Sequence, residues 1–472
     1  MEINLLGSLA LRSSFAAALL SLAAPGLAVA AVGVSPAPDP FRHIEALYDI
    51  AAANRGTRAS GTPGYDASAD YVAGQLRAAG YEVRFETFSF PFFEERSKPV
   101  LSSGGVDHPA DALRTLAFSG VGEVTAPVHA VDLALDNTPL APSTSGCEAE
   151  DFAGFEKGKI ALVRRGTCPF QVKVERAQEA GAAAIIIMNQ GTEGQDGTFP
   201  GRLASPARIP VLGVSTSLGR SLAEAAAADP AASVRLKIDV ESGTRETRNV
   251  LAQRGAGQGP VVVIGAHLDS VPEGPGMNDN ASGTAAVLDA ALRLASDPAA
   301  PRLRFAFWGA EERGLLGSRH HLTALPEDER ARIGLYVNLD MVGSPNPGRF
   351  VQLTQNEPTG LAAPFAASLK AYFDGRGLPL DERAGRPRGY GSDDAAFAAR
   401  QIPTVGLFTG AGERKSEEHA SRFGGEAGKP FDPCYHQSCD MPANIDRAVL
   451  RQITDALTLT LGQIGRDLPA AP

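Results

Sequence analysis

At 472 residues the chain exceeds what one ordinary hydrophobic core organises, so two domains are expected. Hydrophobic content of 43% and charged content of 21% are those of a soluble globular protein. A net charge of −10 leaves no basic footprint and argues against nucleic acid as a partner.

Residues 1–30 read as a secretory signal peptide. A short apolar run, Phe15 to Ala23, follows Arg12, and Ala28-Val29-Ala30 is a small-x-small cleavage site. The run is too short to span a bilayer comfortably and Pro25-Gly26 interrupts it, which favours cleavage over anchoring. No later segment is long and apolar enough to span. A secreted or periplasmic protein without membrane attachment is expected. Residues 31–40, rich in Pro and Ala, read as a linker.

From Phe41 the pattern turns helical, with Tyr71, Val72, Leu76 and Ala79 at helical spacing and Gly80 closing the helix. Val83–Phe90 alternates like a strand. The four cysteines fit an exported protein; they allow three pairings, and their spacing suggests two local loops, Cys147–Cys168 and Cys434–Cys439.

The texture changes near residue 120. Gly158-Lys-Ile-Ala-Leu-Val-Arg-Arg-Gly-Thr-Cys168, then Ala177-Gln-Glu-Ala-Gly-Ala-Ala-Ala-Ile-Ile-Ile187, read as strand, loop, helix, strand. Residues 116–245 form a separate smaller unit in this reading, and these strings resemble the protease-associated domain.

After residue 247 apolar runs recur at Val261–Ile264, Leu303–Phe307, Leu335–Leu339 and Ile402–Phe408, separated by helical segments such as Gly283–Ala295. Near-continuous apolar strands alternating with helices imply a largely parallel sheet covered on both faces. Ligands of such sheets bind past the carboxyl ends of the strands. The first run leads into His267 and Asp269, the second into Glu311-Glu312, the third into Asp340. The fourth leads into a loop that reaches Cys434-Tyr435-His436. Imidazole and carboxylate without thiolate suit zinc with open coordination positions. Two ions side by side need a carboxylate that touches both, and Asp279, on the glycine-rich loop, is the candidate. Singly, each residue has a plainer reading: Asp279 as a helix cap, the glutamates as a helix-start acidic pair, His267 as a satisfied strand-end histidine. Together those readings would have to coincide at one sheet edge.

The strings Gly-Ala-His267-Leu-Asp269, Gly-Met-Asn-Asp279-Asn, Phe-Trp-Gly-Ala-Glu311-Glu312, Asn-Leu-Asp340-Met and Cys434-Tyr435-His436 resemble the M28 family of di-zinc peptidases, of the secreted bacterial aminopeptidase type. The resemblance covers nearly all of 41–115 and 246–465, with the protease-associated unit inserted. It implies a three-layer α/β zinc-peptidase fold with a mixed, largely parallel central sheet, catalytic parts at 41–115 and 246–466, and a tail at 467–472. It also implies two zinc ions, one on His267 and Asp340, the other on Glu312 and His436, with Asp279 bridging. Glu311 would be the general base, and with Asp340 would hold the substrate's α-amine. Tyr435 would stabilise the oxyanion and Asp269 would hydrogen-bond His267. A cis peptide would follow Asp279, and Cys434–Cys439 would fix the loop of Tyr435 and His436.

The expected activity is release of N-terminal residues, leucine or other hydrophobic ones, from peptides or proteins by a monomeric enzyme. One departure stands out: close relatives carry arginine where this chain has Gly391, and Arg388 is the nearby substitute. A carboxypeptidase or dipeptidase of the same fold is the alternative. A catalytically dead binding protein is disfavoured by the complete ligand set, and a one-zinc glutaminyl cyclase by the presence of all five ligands. The insert is expected to act as a lid against long substrates. His320 and His321 read as structural or exposed, and Asn280-Ala281-Ser282 as an accidental glycosylation string.

Overall fold

The computed structural model describes residues 39–135, 143–192, 194–255, 259–353, 360–384 and 391–468. The segment read as a signal peptide, most of that read as a linker, Arg388 and the end of the tail lie outside them. Among the described residues no helix is long and apolar enough to cross a membrane.

The first two helices, Phe41–Ala53 and Pro63–Ala78, follow from local chemistry. Thr62 caps the second by accepting from Tyr65 N–H, with Pro63 at the first helical position. Gly80, at φ 84°, lets the chain turn out of the helix. The strand read at Val83–Phe90 is much longer, Glu82–Ser103, and pairs antiparallel with Ser233–Gln253 from Glu82↔Gln253 to Ser103↔Val234. The division expected at 245/246 therefore falls inside a strand. The insert joins the rest through this two-stranded ribbon, not through a linker.

The four apolar runs are strands Val261–His267, Leu303–Trp308, Ile333–Leu339 and Thr404–Phe408. They are neighbours in one sheet, in the order 404, 333, 261, 303, and all mutually parallel. Val261–His267 is buried along its whole length, which explains why it reads as continuous Val and Ile. Burying each such side chain contributes about 1.5–3 kcal/mol. Ser233–Gln253 runs antiparallel on one side, and Phe350–Leu353 on the other. The sheet is thus mixed and largely parallel, as expected. Helices Gly283–Leu294 and Arg447–Asp467 join Val262, Ile264 and Leu335 in the main core.

In the insert, strands Gly122–Ala130, Ile160–Arg164, Ala184–Met188 and Val211–Val214 pair in parallel succession. Cys147 and Cys168 are bonded, as are Cys434 and Cys439. Beside the first bridge, Lys173 is buried, its Nζ donating to Ser145 O at 2.5 Å. Burial pushes its ammonium down to about 8 from 10.5, against the pull of Asp151 and Glu148. The folded state therefore holds this proton less tightly than the unfolded chain. Lys173 costs stability below pH 8, and the cost is relieved as pH rises toward 10.5. Lys173→Met is expected to flatten the rise in melting temperature across that window; a slope identical to wild type would contradict this.

Three histidines away from the sheet edge have their own local partners. His321 is buried against Glu86, 3.1 Å away, and His320 stacks on Phe88. His43 contacts Tyr71 Oη at 2.7 Å.

Candidate metal centre

The chain leaves Val261–His267 for a strand on one side and later for one on the other, so the strand order reverses there. A crevice opens at such a switch point. His267 ends this strand, Glu311 and Glu312 follow Trp308 closely, and Asp340 follows Leu339 directly. Asp279 lies on the turn Met277–Ser282, and Tyr435 and His436 on the loop after Thr404–Phe408. The backbone here is unusual. Ala310, Met341 and His436 have φ of 54°, 53° and 57°, and the Asp279–Asn280 peptide is cis. Non-glycine residues in the left-handed region gather where function constrains the chain.

Asp279 sits between two imidazoles. Its Oδ1 is 3.2 Å from His267 Nε2 and its Oδ2 is 3.0 Å from His436 Nε2. Asp340 Oδ1 lies 3.4 Å from His267 Nε2, and Glu312 Oε2 lies 3.4 Å from His436 Nε2. Two ligand groups result, His267–Asp279–Asp340 and Asp279–Glu312–His436, sharing Asp279. A third, His267–Glu311–Glu312, places both glutamates beside the first histidine. These residues, with Met341, Gly391, Ser392 and Tyr435, line a cavity of about 190 Å³.

The donor set fits a pair of divalent cations. It offers nitrogen and oxygen without sulfur, and Glu312 Oε1 is buried with no hydrogen-bond partner. The charges point the same way. Burial pushes the Glu312 carboxyl up to about 7, with Asp279 adding to the push. Burial likewise raises Glu311 well above the carboxylate range, reinforced by Asp393, Glu312 and Asp340. Burial alone would lower both histidines. For His267 the Glu311 and Asp340 carboxylates overrule it; for His436, Asp279 and Glu312 do so and raise it to about 10. So many carboxylates gathered in one largely buried site favour a positively charged occupant.

Asp269 differs in detail from its expected contact. The partner of His267 Nδ1 is the main-chain carbonyl of Asp269, at 3.0 Å, while the carboxylate Oδ1 stands 3.8 Å away. That Oδ1 instead accepts from the main-chain N–H of Glu311 at 3.2 Å. Tyr435 is partly exposed and stacks on His436 with ring centroids 3.9 Å apart. At Gly391 a Cβ would lie 3.1 Å from that of Ala395, so a larger residue is already crowded there. Asn280 is buried and donates to Leu339 O, as its plain reading requires.

Several positioning groups carry no motif. Asp440 accepts from the main-chain N–H of both Asn278 and Asp279, at 2.8 and 3.0 Å. Asp432 accepts from the Asn278 side chain and from Cys434 N–H, at 2.7 and 2.8 Å. These two aspartates tie the loop of Asp279 to the disulfide loop of His436. Asp440 closes the Cys434–Cys439 string in the sequence, and that adjacency is the one signal that could have marked it. Arg58 and Ser60, far upstream, also reach the site.

Residues 249–461 match Peptidase family M28, and residues 124–222 match the PA domain. An aminopeptidase of Pseudomonas aeruginosa is 42% identical over 433 residues, covering 88% of this chain and 78% of that protein. Leucine aminopeptidase 2 of Trichophyton equinum is 31% identical, covering 88% and 81%. Among solved structures, the zinc aminopeptidase BSAP of Bacillus subtilis superposes with a TM-score of 0.62 at 26% identity, covering 90% of this chain and 95% of that one. With this identity sustained along most of both chains, and with the motif residues gathered at one sheet edge, the chain belongs to peptidase family M28.

Proposed function

We propose that this chain is a secreted zinc aminopeptidase that releases leucine and other apolar residues from peptide N-termini. In this reading His267 and Asp340 hold one zinc ion, Glu312 and His436 hold a second, and Asp279 serves both. The observation that carries it is the placement of Asp279, each of whose oxygens faces a different histidine. A bound metal pair supplies Lewis-acid charge to a carbonyl and lowers the pKa of water. Glu311 takes the proton of the attacking water and passes it to the leaving amine. Tyr435 Oη donates to the developing oxyanion. Glu311 and Asp340 hold the substrate's ammonium, an ion pair that an internal peptide bond cannot make. The preference for an apolar released residue is supported by a fungal relative that bears the name leucine aminopeptidase, with Met341 and Tyr435 among the residues lining the cavity. Export is supported by the two disulfides, with no free cysteine among the described residues.

The test is metal content together with activity on leucyl anilide and its N-acetyl form. About two zinc ions per chain, cleavage of the free amine alone, and loss on chelation are expected. Full activity in metal-stripped protein, or equal cleavage of the blocked substrate, would overturn the reading.

A further inference from the structure

Thr57–Ser60 belongs to no motif of the site, yet it touches both loops that build it. The Arg58 side chain is completely buried. Its guanidinium donates to three main-chain carbonyls: Nε to Pro275 O at 2.9 Å, Nη2 to Gly276 O at 2.7 Å, and Nη1 to Leu268 O. Its main-chain N–H donates to Ser270 Oγ at 3.0 Å, and Ser270 Oγ is also within 3.0 Å of Gly274 O. Leu268 directly follows His267, and Gly276 stands three residues before Asp279. One planar fork thus holds both ends of the loop that separates these two residues. The loop is closed tightly on it. At Gly276, φ 64°, a Cβ would lie 2.3 Å from Asp279 O, 2.6 Å from Ser270 Cβ and 3.3 Å from Arg58 Nη2. Two residues on, Ser60 Oγ accepts from Ala310 N–H at 2.7 Å, immediately before Glu311.

A guanidinium is costly to bury, and carbonyl oxygens alone compensate it poorly. Here Asp269, Asp440 and Asp279 supply a surrounding negative field. Retaining so costly a group in a loop that apolar packing could stabilise instead is intelligible if the loop's geometry matters. We propose that Arg58 is a positioning residue of the metal centre, fixing the placement of Asp279 relative to His267 through the carbonyls of Leu268, Pro275 and Gly276. The inference rests on reading those two residues as metal ligands. Groups that orient ligands in this way typically account for about 10–100-fold in metal affinity.

The experiment measures zinc affinity of the full chain by competition with a chromophoric chelator, starting from metal-free protein whose folding is checked by circular dichroism. Arg58→Met and Arg58→Lys are each expected to bind zinc about 10–100-fold more weakly. Lysine keeps the charge but lacks the planar fork. Tyr81→Phe, which removes a buried hydrogen bond to Ala291 O in the main core, is expected to lower the melting temperature and leave zinc affinity unchanged. Should neither of those Arg58 variants fold, Arg58→Gln decides the matter, since its amide keeps a polar donor in the buried site but lacks the charge and the three-armed fork; a several-fold loss of affinity is expected. Wild-type affinity in folded Arg58→Met, Arg58→Lys or, in their absence, Arg58→Gln overturns the proposal. A wild-type chain that takes up no zinc overturns the metal reading and this inference with it; normal wild-type uptake with unaffected variants overturns the inference alone.

Discussion

Replacing Glu311 by Gln is expected to lower kcat by about 10²–10⁴-fold, the usual range for a lost general base, while zinc content stays at the wild-type level. The two adjacent glutamates make this a sharp test. Glu312 Oε2 is 3.4 Å from His436 Nε2, and its other oxygen is buried without a partner. Glu311 instead has its main-chain N–H held by Asp269 and its side chain in the cavity. Glutamine keeps the volume and one carbonyl oxygen, so packing survives while proton transfer is removed, along with Glu311's share of the charge that holds the substrate's ammonium. Glu312→Gln should show the opposite pattern, with metal and activity lost together. Both are checked by atomic absorption alongside initial rates on leucyl anilide. Zinc loss in Glu311→Gln with retention in Glu312→Gln would reverse the two assignments.

Asp279→Ala is expected to leave less than about one zinc ion per chain, and His436→Ala to leave about one. The alanine at 279 removes an oxygen from each ligand group at once. The alanine at 436 removes a nitrogen from one group only and leaves His267, Asp279 and Asp340 together. Dialysis against trace zinc followed by metal analysis distinguishes the two. Equal zinc content in both variants would mean that Asp279 does not serve two ions.

Much of this site was legible because buried parallel strands write themselves as predominantly apolar runs, most plainly Val261–Ile264. Once four such runs were found, the His, Asp and Glu residues just past them had to share an edge. The four runs came out as neighbouring strands, the first extended by three residues to His267, the second by one, the third by two, and the fourth shortened by two at its start. What could not be read was anything directed at the main chain. Arg58 finds its partners among carbonyls, which exist at every residue and leave no mark in the side-chain pattern. The same holds for Asp440 on the amide N–H groups of Asn278 and Asp279. Asp269 shows the limit most plainly: the resemblance implies a hydrogen bond to His267, but nothing in the sequence says that the carbonyl makes it while the carboxylate accepts from Glu311 N–H. The strand from Glu82 was truncated in the reading because Pro91 and the charged run Glu94-Glu95-Arg96 interrupt the alternation, whereas in the fold they lie on a ribbon whose exposed face tolerates them.

That ribbon also settles how separable the insert is. Phe93 and Ser242 are cross-strand partners, so the chain that departs at one returns at the other. To the peptidase half, everything from residue 94 to 241 is the tip of a hairpin. Such a tip can be lengthened, shortened or exchanged without asking the catalytic sheet to move a strand. A change in the length of that region is a change at a hairpin tip, and the pairing of Val250–Gln253 with the strand Leu303–Trp308 stays as it is.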